Sequence, residues 1–179
     1  MHITQSATRV TIDQQAYLKK VLQCFQMTNA KIAPTPLPTG YNPVENTEPV
    51  NPIRCHRYQQ VIRSLLYLML GMQPDITYTV IKLLQFSANP SQTHLDKAMY
   101  IMHYLVGTQY YKIVYDGKVA EGLMAFTDSD WAADDTKCHS TTGYFTVLAS
   151  GSVYWQLHLQ KTVVLPSTEA EYMALSDIS

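Results

Sequence analysis

Apolar residues recur every three or four positions through most of the first hundred residues, which is the spacing of amphipathic helices. Before this pattern begins, Val10 and Ile12 alternate with polar neighbours and predict a short strand pair, with Asp13 as the N-cap of the first helix. The last helix of the series opens with "THLD", where Thr93 and Asp96 form a capping-box-like pair. Four helices are predicted, with apolar stripes over Tyr17–Phe25, Tyr58–Met69, Ile76–Leu84 and Leu95–Leu105.

A proline-rich segment interrupts the helices between Thr28 and Cys55. It holds six of the nine prolines, at positions 34, 36, 38, 43, 49 and 52, and shows no periodicity. Connections of this length are uncommon inside compact domains. We therefore expect an extended linker of weak order on the surface.

The period changes from helical to alternating after Gly107, which predicts a sheet. The segments "KIVYDG", "LMAFTDSD", "TTGYFTVLAS", "SVYWQL" and "TVVL" are typical of strands, and "ASGS" predicts a hairpin turn. A helical pattern returns from Thr168. The predicted class is α+β, in three domains: residues 1–55 with the hairpin, first helix and linker, residues 56–110 with the helical module, and residues 111–179 with the sheet and last helix.

The composition is that of a globular protein, and its net charge is close to zero. Hydrophobic residues make up 46% of the 179 residues, which is enough for a core, and 13 Lys and Arg balance 14 Asp and Glu. Three cysteines without CxxC spacing indicate free thiols in a reducing compartment. The sequence shows neither a signal pattern nor a membrane-length apolar run, which predicts a soluble protein of the cytoplasm or the nucleus.

Two acidic segments, "FTDSDWAADD" and "STEAEYMAL", are the candidates for chemistry. Along a strand, Asp128 shares a face with Met124 and Phe126, and along the last helix Glu171 begins the stripe of Ala174, Leu175 and Ile178. Both carboxylates thus point into one strand–helix interface, where a divalent cation would compensate their charge. Mg²⁺ takes such oxygen ligands.

Each acid also has an ordinary structural interpretation. Thr168 and Glu171 have the spacing of a capping box, in which the glutamate closes the helix N-terminus. The aspartates at 128, 130, 134 and 135 also fit an acidic loop after the strand, which is the more common fate of clustered aspartates. Spacing leaves both alternatives open.

Nearly the whole chain from Ile3 resembles the Pol polyprotein of copia-type LTR retrotransposons, a class of transposable element. "QQAYLKKVLQCFQM" with "PTPL" is similar to the segment after the reverse transcriptase palm, and "YQQVIRSLLYLMLGMQPDITYTV" with "HLDKAMYIMHYLVGT" is similar to the helical thumb or connection. "FTDSDWAADD", "STTGYFTVLASGSVYW" and "STEAEYMAL" resemble the opening of the ribonuclease H domain. The resemblance implies a helical connection module followed by a truncated ribonuclease H-like sheet with its first helix.

By the same resemblance, Asp128 and Glu171 are catalytic ligands for Mg²⁺ or Mn²⁺, and the partners are an RNA–DNA hybrid or template–primer and the rest of the Pol polyprotein. The implied role is in reverse transcription and cleavage of RNA in RNA–DNA hybrids. The family's polymerase aspartates and its third ribonuclease H aspartate have no counterpart in this sequence, so we expect weak metal binding and leave open whether the chain is an enzyme. The alternative is a non-catalytic remnant or a captured nucleic-acid- or protein-binding module.

Overall fold

The computed structural model describes residues 1–117, 122–130 and 141–159, and within these the chain is α+β, as predicted. One turn of 3-10 helix, Pro74–Ile76, precedes α3. The helices are α1 Gln15–Cys24, α2 Pro52–Gly71, α3 Thr77–Leu84 and α4 Gln92–Thr108. The strands are β1 His2–Gln5, β2 Val10–Asp13, β3 Ile113–Tyr115, β4 Met124–Asp130, β5 Thr141–Leu148 and β6 Gly151–Leu159.

The strands form two three-stranded sheets, in the orders β1-β2-β3 and β4-β5-β6. In the second sheet both neighbouring pairs are antiparallel, and a register shift near Thr146 and Val147 marks a bulge between β5 and β6. The predicted strand "TVVL" and the predicted helix from Thr168 lie outside the described residues. Whether this sheet belongs to a ribonuclease H-like fold therefore stays a prediction.

The chain divides into two compact units. Unit 1 comprises residues 1–4 and 12–112, and unit 2 comprises residues 5–11 and 113–179. The first helix, the proline-rich segment and the three later helices thus share unit 1.

The core of unit 1 forms from the stripes that the sequence predicts. Leu18, Leu65, Val80 and Leu105, one from each helix, are at most 2% exposed. At the centre, Tyr58 is fully buried and its hydroxyl donates a hydrogen bond of 2.6 Å to the Leu83 carbonyl. Burial raises the pKa of Tyr58 because a buried phenolate would lose its hydration. The bond satisfies the one polar atom that this large side chain brings into the core.

The helix caps differ in part from those predicted. The side chain of Asn51 accepts hydrogen bonds from two backbone N–H groups at the start of α2. Asp13 lies two residues before α1 and accepts a hydrogen bond from the Gln15 N–H at 3.3 Å, but it is not the N-cap residue. The capping box of α4 is formed by Ser91 and His94, so the expected Thr93 and Asp96 pair is wrong.

The proline-rich segment contains no helix or strand between residues 28 and 51, as predicted, but residues 52–55 of the predicted linker belong to α2. The segment is also anchored to the helices. The ring of His103 is 2.7 Å from the Lys31 carbonyl oxygen, and the Ala33 N–H donates to the His103 carbonyl. Further along, the amide of Asn89 donates to the carbonyls of Asn46 and Glu48 at 3.2 and 2.9 Å. The expectation of weak order is therefore wrong at both anchors.

Within unit 2, β5 and β6 are joined by a two-residue turn in the predicted "ASGS" segment. Ala149 and Ser150 both have positive φ, 50° and 68°, as in the turns that match the twist of a hairpin. The next residue is Gly151, where a Cβ would lie 2.5 Å from the Tyr115 ring. The Tyr115 hydroxyl donates to the Ser152 carbonyl at 2.6 Å, so the ring lies directly against this turn. Among the described helices, none has the length and apolar character needed to cross a membrane.

Candidate metal site

Asp128 is the fifth residue of β4, where it lies opposite Gly143 of β5, which in turn lies opposite Leu157 of β6. Residues directly opposite each other in antiparallel strands project from the same face of the sheet. The neighbouring row on this face is Phe126, Phe145 and Trp155. Asp128 thus continues a largely apolar face, which is the position expected from strand alternation.

Gly143, opposite Asp128, contributes no side chain to that row of the face. A Cβ at position 143 would lie 3.3 Å from the Leu157 Cδ1, so this leucine already leans over the glycine. The Asp128 side chain is exposed, and no hydrogen bond or ion pair joins it to another described residue. Its oxygens are therefore available to a ligand.

One carboxylate does not hold a divalent cation by itself. No group of three or more His, Cys, Asp or Glu that could hold a metal lies within the described residues. The second predicted ligand, Glu171, falls outside them, and so does the capping-box partner Thr168. The arrangement of Asp128 and Glu171 stays a prediction.

The acidic-loop interpretation can be compared with the structure for two of its four aspartates. Asp128 and Asp130 both lie within β4, so neither is a loop residue. Asp134 and Asp135 lie outside the described residues. The aspartate that the resemblance marks as catalytic is thus carried by a regular strand, which holds a side chain more precisely than a loop does.

The opposite face of the same sheet carries a cluster of aromatic rings. The Tyr144 ring stacks on that of Tyr154, with centroids 6.0 Å apart, and meets the His158 ring edge-on at 5.8 Å. His158 thus packs against an aromatic ring, on the face of the sheet away from Asp128. Trp155 lies on the Asp128 face, and Trp131 falls outside the described residues.

Basic and aromatic side chains are exposed on unit 1. Arg57 and Arg63 are exposed on α2, and Tyr110 and Tyr111 after α4 are 66% and 62% exposed. The two lysines considered with them have aromatic partners: Lys82 lies 5.4 Å from the Tyr78 ring centroid, and Lys97 lies 5.1 Å from that of Tyr41. Both lysines are partly buried, unlike the two arginines.

Sequence patterns missed the structural role of His94. It is 1% exposed, stacks on the Phe86 ring with a centroid distance of 4.3 Å, and completes the α4 capping box. Capping boxes are recognised by a Glu or Gln at this third helical position, so a histidine gives no signal. In the segment "SQTH", the only sequence signal for this cap is Ser91, a residue type that is common at helix N-caps.

The chain is similar along nearly its whole length to transposon polyproteins. It is 32% identical over 184 residues to the retrovirus-related Pol polyprotein from transposon TNT 1-94 of Nicotiana tabacum, covering 97% of this chain and 13% of that protein. It is 33% identical to the corresponding polyprotein from transposon RE1 of Arabidopsis thaliana, covering 96% of this chain and 12% of that protein. The chain therefore spans about an eighth of these relatives.

A third relative is much shorter. The secreted RxLR effector protein 161 of Plasmopara viticola is 38% identical over 120 residues, which are 67% of this chain and 84% of the effector. No protein-family model and no solved structure matches the chain.

Proposed function

The chain belongs to the Pol polyproteins of copia-type retrotransposons, and from this we propose that it forms the junction at which the reverse transcriptase passes into the ribonuclease H. In this proposal unit 1 is the helical module that contacts the template–primer. Unit 2 begins the ribonuclease H sheet. Polymerisation and hybrid cleavage would be activities of the whole polyprotein, of which this chain matches about an eighth.

The observation that carries the proposal is the position of Asp128. An exposed carboxylate lies on a largely apolar sheet face, opposite a glycine that adds no side chain to its row. β4 is at the edge of the described β4-β5-β6 sheet, so a further strand bearing another acid would have an edge to pair with. The resemblance requires such a strand for the third catalytic aspartate.

The donor set fits Mg²⁺ or Mn²⁺, since both prefer carboxylate oxygens. Asp128 and Glu171 would hold the ion, which when bound would supply Lewis-acid activation for phosphodiester hydrolysis. The contribution of this chain is to fix the first carboxylate on a regular strand, with Phe126 on the same face, one row away.

Charge is distributed between the two units in a way that supports the proposal. Unit 1 contains nine Lys and Arg against five Asp and Glu, whereas unit 2 contains four against nine. The overall charge of −1 therefore conceals a basic helical unit and an acidic sheet unit. A basic surface binds the phosphate backbone, and an acidic one supplies metal ligands.

Binding to a labelled RNA–DNA hybrid, measured by fluorescence anisotropy over a range of salt concentrations, tests the role of unit 1. The triple variant Lys19→Gln/Lys20→Gln/Arg57→Gln removes exposed charges from α1 and α2. We expect weaker binding and a slope of log K against log salt that is shallower by roughly two to three. Arg9→Gln, an exposed basic position of unit 2, is the matched control and should change little.

A hybrid affinity that does not depend on salt, or one that falls equally in the triple variant and the Arg9 control, would contradict the assignment of nucleic-acid contact to unit 1. Circular dichroism of each variant checks that the helices remain folded.

A second candidate function is a stand-alone, non-catalytic module. The observation that favours it is the length of the effector protein of Plasmopara viticola. The segment that matches this chain makes up 84% of that protein. A segment of this family thus forms most of a separate protein. If the chain binds neither a hybrid nor Mn²⁺ but folds cooperatively, this second function is favoured.

A further inference from the structure

Thr35 is an exposed residue of the proline-rich segment and lies outside every helix and strand. It is the one Ser or Thr of the 179-residue sequence that is followed directly by proline. Its hydroxyl donates a local hydrogen bond of 2.9 Å to the Leu37 carbonyl, two residues along the chain. The hydroxyl is therefore within reach of an enzyme that modifies exposed side chains.

The backbone around Thr35 can leave the surface of unit 1. The chain bends at residues 34–37, and no backbone–backbone hydrogen bond joins these residues to the part of the chain that the structure describes. On one side the Ala33 N–H donates to the His103 carbonyl, and on the other the Tyr41 ring centroid is 5.1 Å from the Lys97 nitrogen. These points of α4 are six residues or about 9 Å apart, whereas the seven residues between Ala33 and Tyr41 reach roughly 23–25 Å when extended.

The proline at position 36 distinguishes this hydroxyl from other exposed ones. A residue that precedes proline is disfavoured in helical backbone and prefers extended conformations, and protein kinases bind their substrates as extended segments. Kinases of the proline-directed class require a proline directly after the acceptor residue. Pro36 and Leu37 are half-buried, so straightening the chain exposes part of two apolar side chains that such a kinase can contact instead. Thr39 is also exposed but precedes Gly40, so it lacks this feature.

The charge around Thr35 is compatible with an added phosphate. Residues 28–44 contain one charged side chain, that of Lys31, and no acid. A phosphate dianion therefore meets no like charge along its own segment. Unit 1 as a whole has nine Lys and Arg against five Asp and Glu, an excess of four positive charges, which a phosphate would reduce to about two.

We propose that Thr35 is a phosphorylation site for a proline-directed Ser/Thr kinase. In this reaction the Thr35 Oγ attacks the γ-phosphorus of ATP. The new O–P bond forms while the bond between the γ-phosphorus and the bridging oxygen breaks, ADP leaves, and the hydroxyl proton passes to a carboxylate of the kinase. A consequence, which rests on the function proposed above, is that phosphorylation weakens the attraction of unit 1 for the phosphate backbone of a nucleic acid.

Phosphate transfer is measured on the full, folded chain with a purified mitogen-activated protein kinase and ATP, followed by mass spectrometry of the proteolytic peptides. We expect one phosphate per chain, located on Thr35. Thr35→Ala should abolish the transfer, and Pro36→Ala should slow it strongly because the kinase loses the residue that it recognises. Thr39→Ala is the matched control in the same segment and should react as fast as the parent.

A synthetic peptide of residues 30–41 measures the same transfer in the absence of the fold. The folded chain and the peptide should react at similar rates, because residues 34–37 can straighten without breaking a backbone hydrogen bond. A parent chain that gains no phosphate overturns the proposal, whether or not the peptide reacts. A Pro36→Ala variant that reacts as fast as the parent overturns it as well.

Fluorescence anisotropy with a labelled RNA–DNA hybrid compares the phosphorylated chain with the same sample after phosphatase treatment. We expect the phosphorylated form to bind roughly 2- to 10-fold more weakly at about 10 mM salt, and the difference to disappear at about 300 mM, where screening is strong. Equal affinities at low salt would overturn the consequence for binding. A chain that binds no hybrid in either form would refute the proposed function, whereas the phosphate located on Thr35 would still support the modification site.

Discussion

The backbone N–H of Ser91 donates a hydrogen bond to Nδ1 of His94 at 3.1 Å, and the backbone N–H of His94 donates to the Ser91 hydroxyl at 3.2 Å. The Nδ1 atom must be unprotonated to accept. The remaining ring N–H is then free to bond the backbone of Val44, in the proline-rich segment. One neutral imidazole thus caps α4 and attaches a distant segment to it.

Acid should destabilise unit 1 through His94. Burial lowers its pKa below the usual 6.5, and the hydrogen bond to Val44 opposes this shift. Because the unfolded chain binds the proton more readily, the free energy of unfolding should fall as pH drops below about 6.5, by at most about 1.4 kcal/mol per pH unit. Burial by itself would raise the pKa of Asp13, but the hydrogen bonds from His2 and Gln15 and the charges of His2 and Lys112 lower it. Protonation of Asp13 therefore reduces the free energy of unfolding only as the pH falls below the usual 3.8.

Urea unfolding of the parent and of His94→Gln between pH 5 and 7.5 measures this effect. Glutamine retains capping-box chemistry without titrating, so the variant should lose part of the pH dependence. Identical pH profiles would show that His94 does not contribute.

Removing the Asn89 side chain should release the second anchor of the proline-rich segment. Its amide donates to two carbonyls of that segment and its oxygen accepts from Asn46. In Asn89→Ala, limited proteolysis with a non-specific protease should cut residues 44–50 faster, whereas the rate at residues 35–40, which lie between the anchors, should stay the same. Mass spectrometry of the early fragments distinguishes the two regions, and Gln85→Ala on the exposed end of α3 is the control.

Ser150→Gly should stabilise unit 2. Serine at φ 68° is in the left-handed region, which costs an L-residue roughly 1–2 kcal/mol but costs glycine almost nothing. After the greater flexibility of glycine in the unfolded state is subtracted, we expect about 0.5–1 kcal/mol more free energy of unfolding. Ser152→Gly, within β6, should instead lower it by a similar amount, and an equal effect of both changes would refute the turn geometry.

Thermal melts with and without excess Mg²⁺ or Mn²⁺ separate the two interpretations of Glu171. If Asp128 and Glu171 form a metal site, the metal should raise the Tm of the parent but not of Asp128→Asn or Glu171→Gln. Without metal, either substitution should stabilise slightly, because it relieves repulsion between carboxylates. Asp96→Asn is the control.

If Glu171 only closes a helix, Glu171→Gln should be less stable by roughly 0.5–1 kcal/mol, and metal should change nothing. That result would remove the basis for the metal site.

The positions of the helices and of the β5–β6 hairpin could be predicted because burial imposes a period on the sequence. The inner stripe of α2, from Tyr58 to Met69, became its buried face. The α4 cap could not be predicted, since it depends on a histidine whose role requires burial against Phe86. The docking of Asn46 on Asn89 joins residues 43 positions apart, and no local pattern encodes such a pair.

Asp128 could be predicted as a strand residue on an apolar face, because alternation along β4 is a local property. The glycine opposite it could not, since the cross-strand partner depends on the register between β4 and β5. The difference in charge between the two units could not be predicted either, because it depends on where the units divide. Over the whole chain, 13 Lys and Arg nearly balance 14 Asp and Glu.

The two anchors of the proline-rich segment have a consequence for length variation and for engineering. The first anchor holds Ala33 at His103, and before the second anchor at Asn89 the backbone of Val44 is bonded to the His94 ring, so the chain between Ala33 and Val44 must span nine residues of α4, or about 14 Å. Ten residues of extended chain reach roughly 33–36 Å, more than twice that span. This stretch therefore contains slack, so deletions of a few residues, or an inserted epitope or fluorophore site, should be accommodated between residues 35 and 40 without moving either anchor.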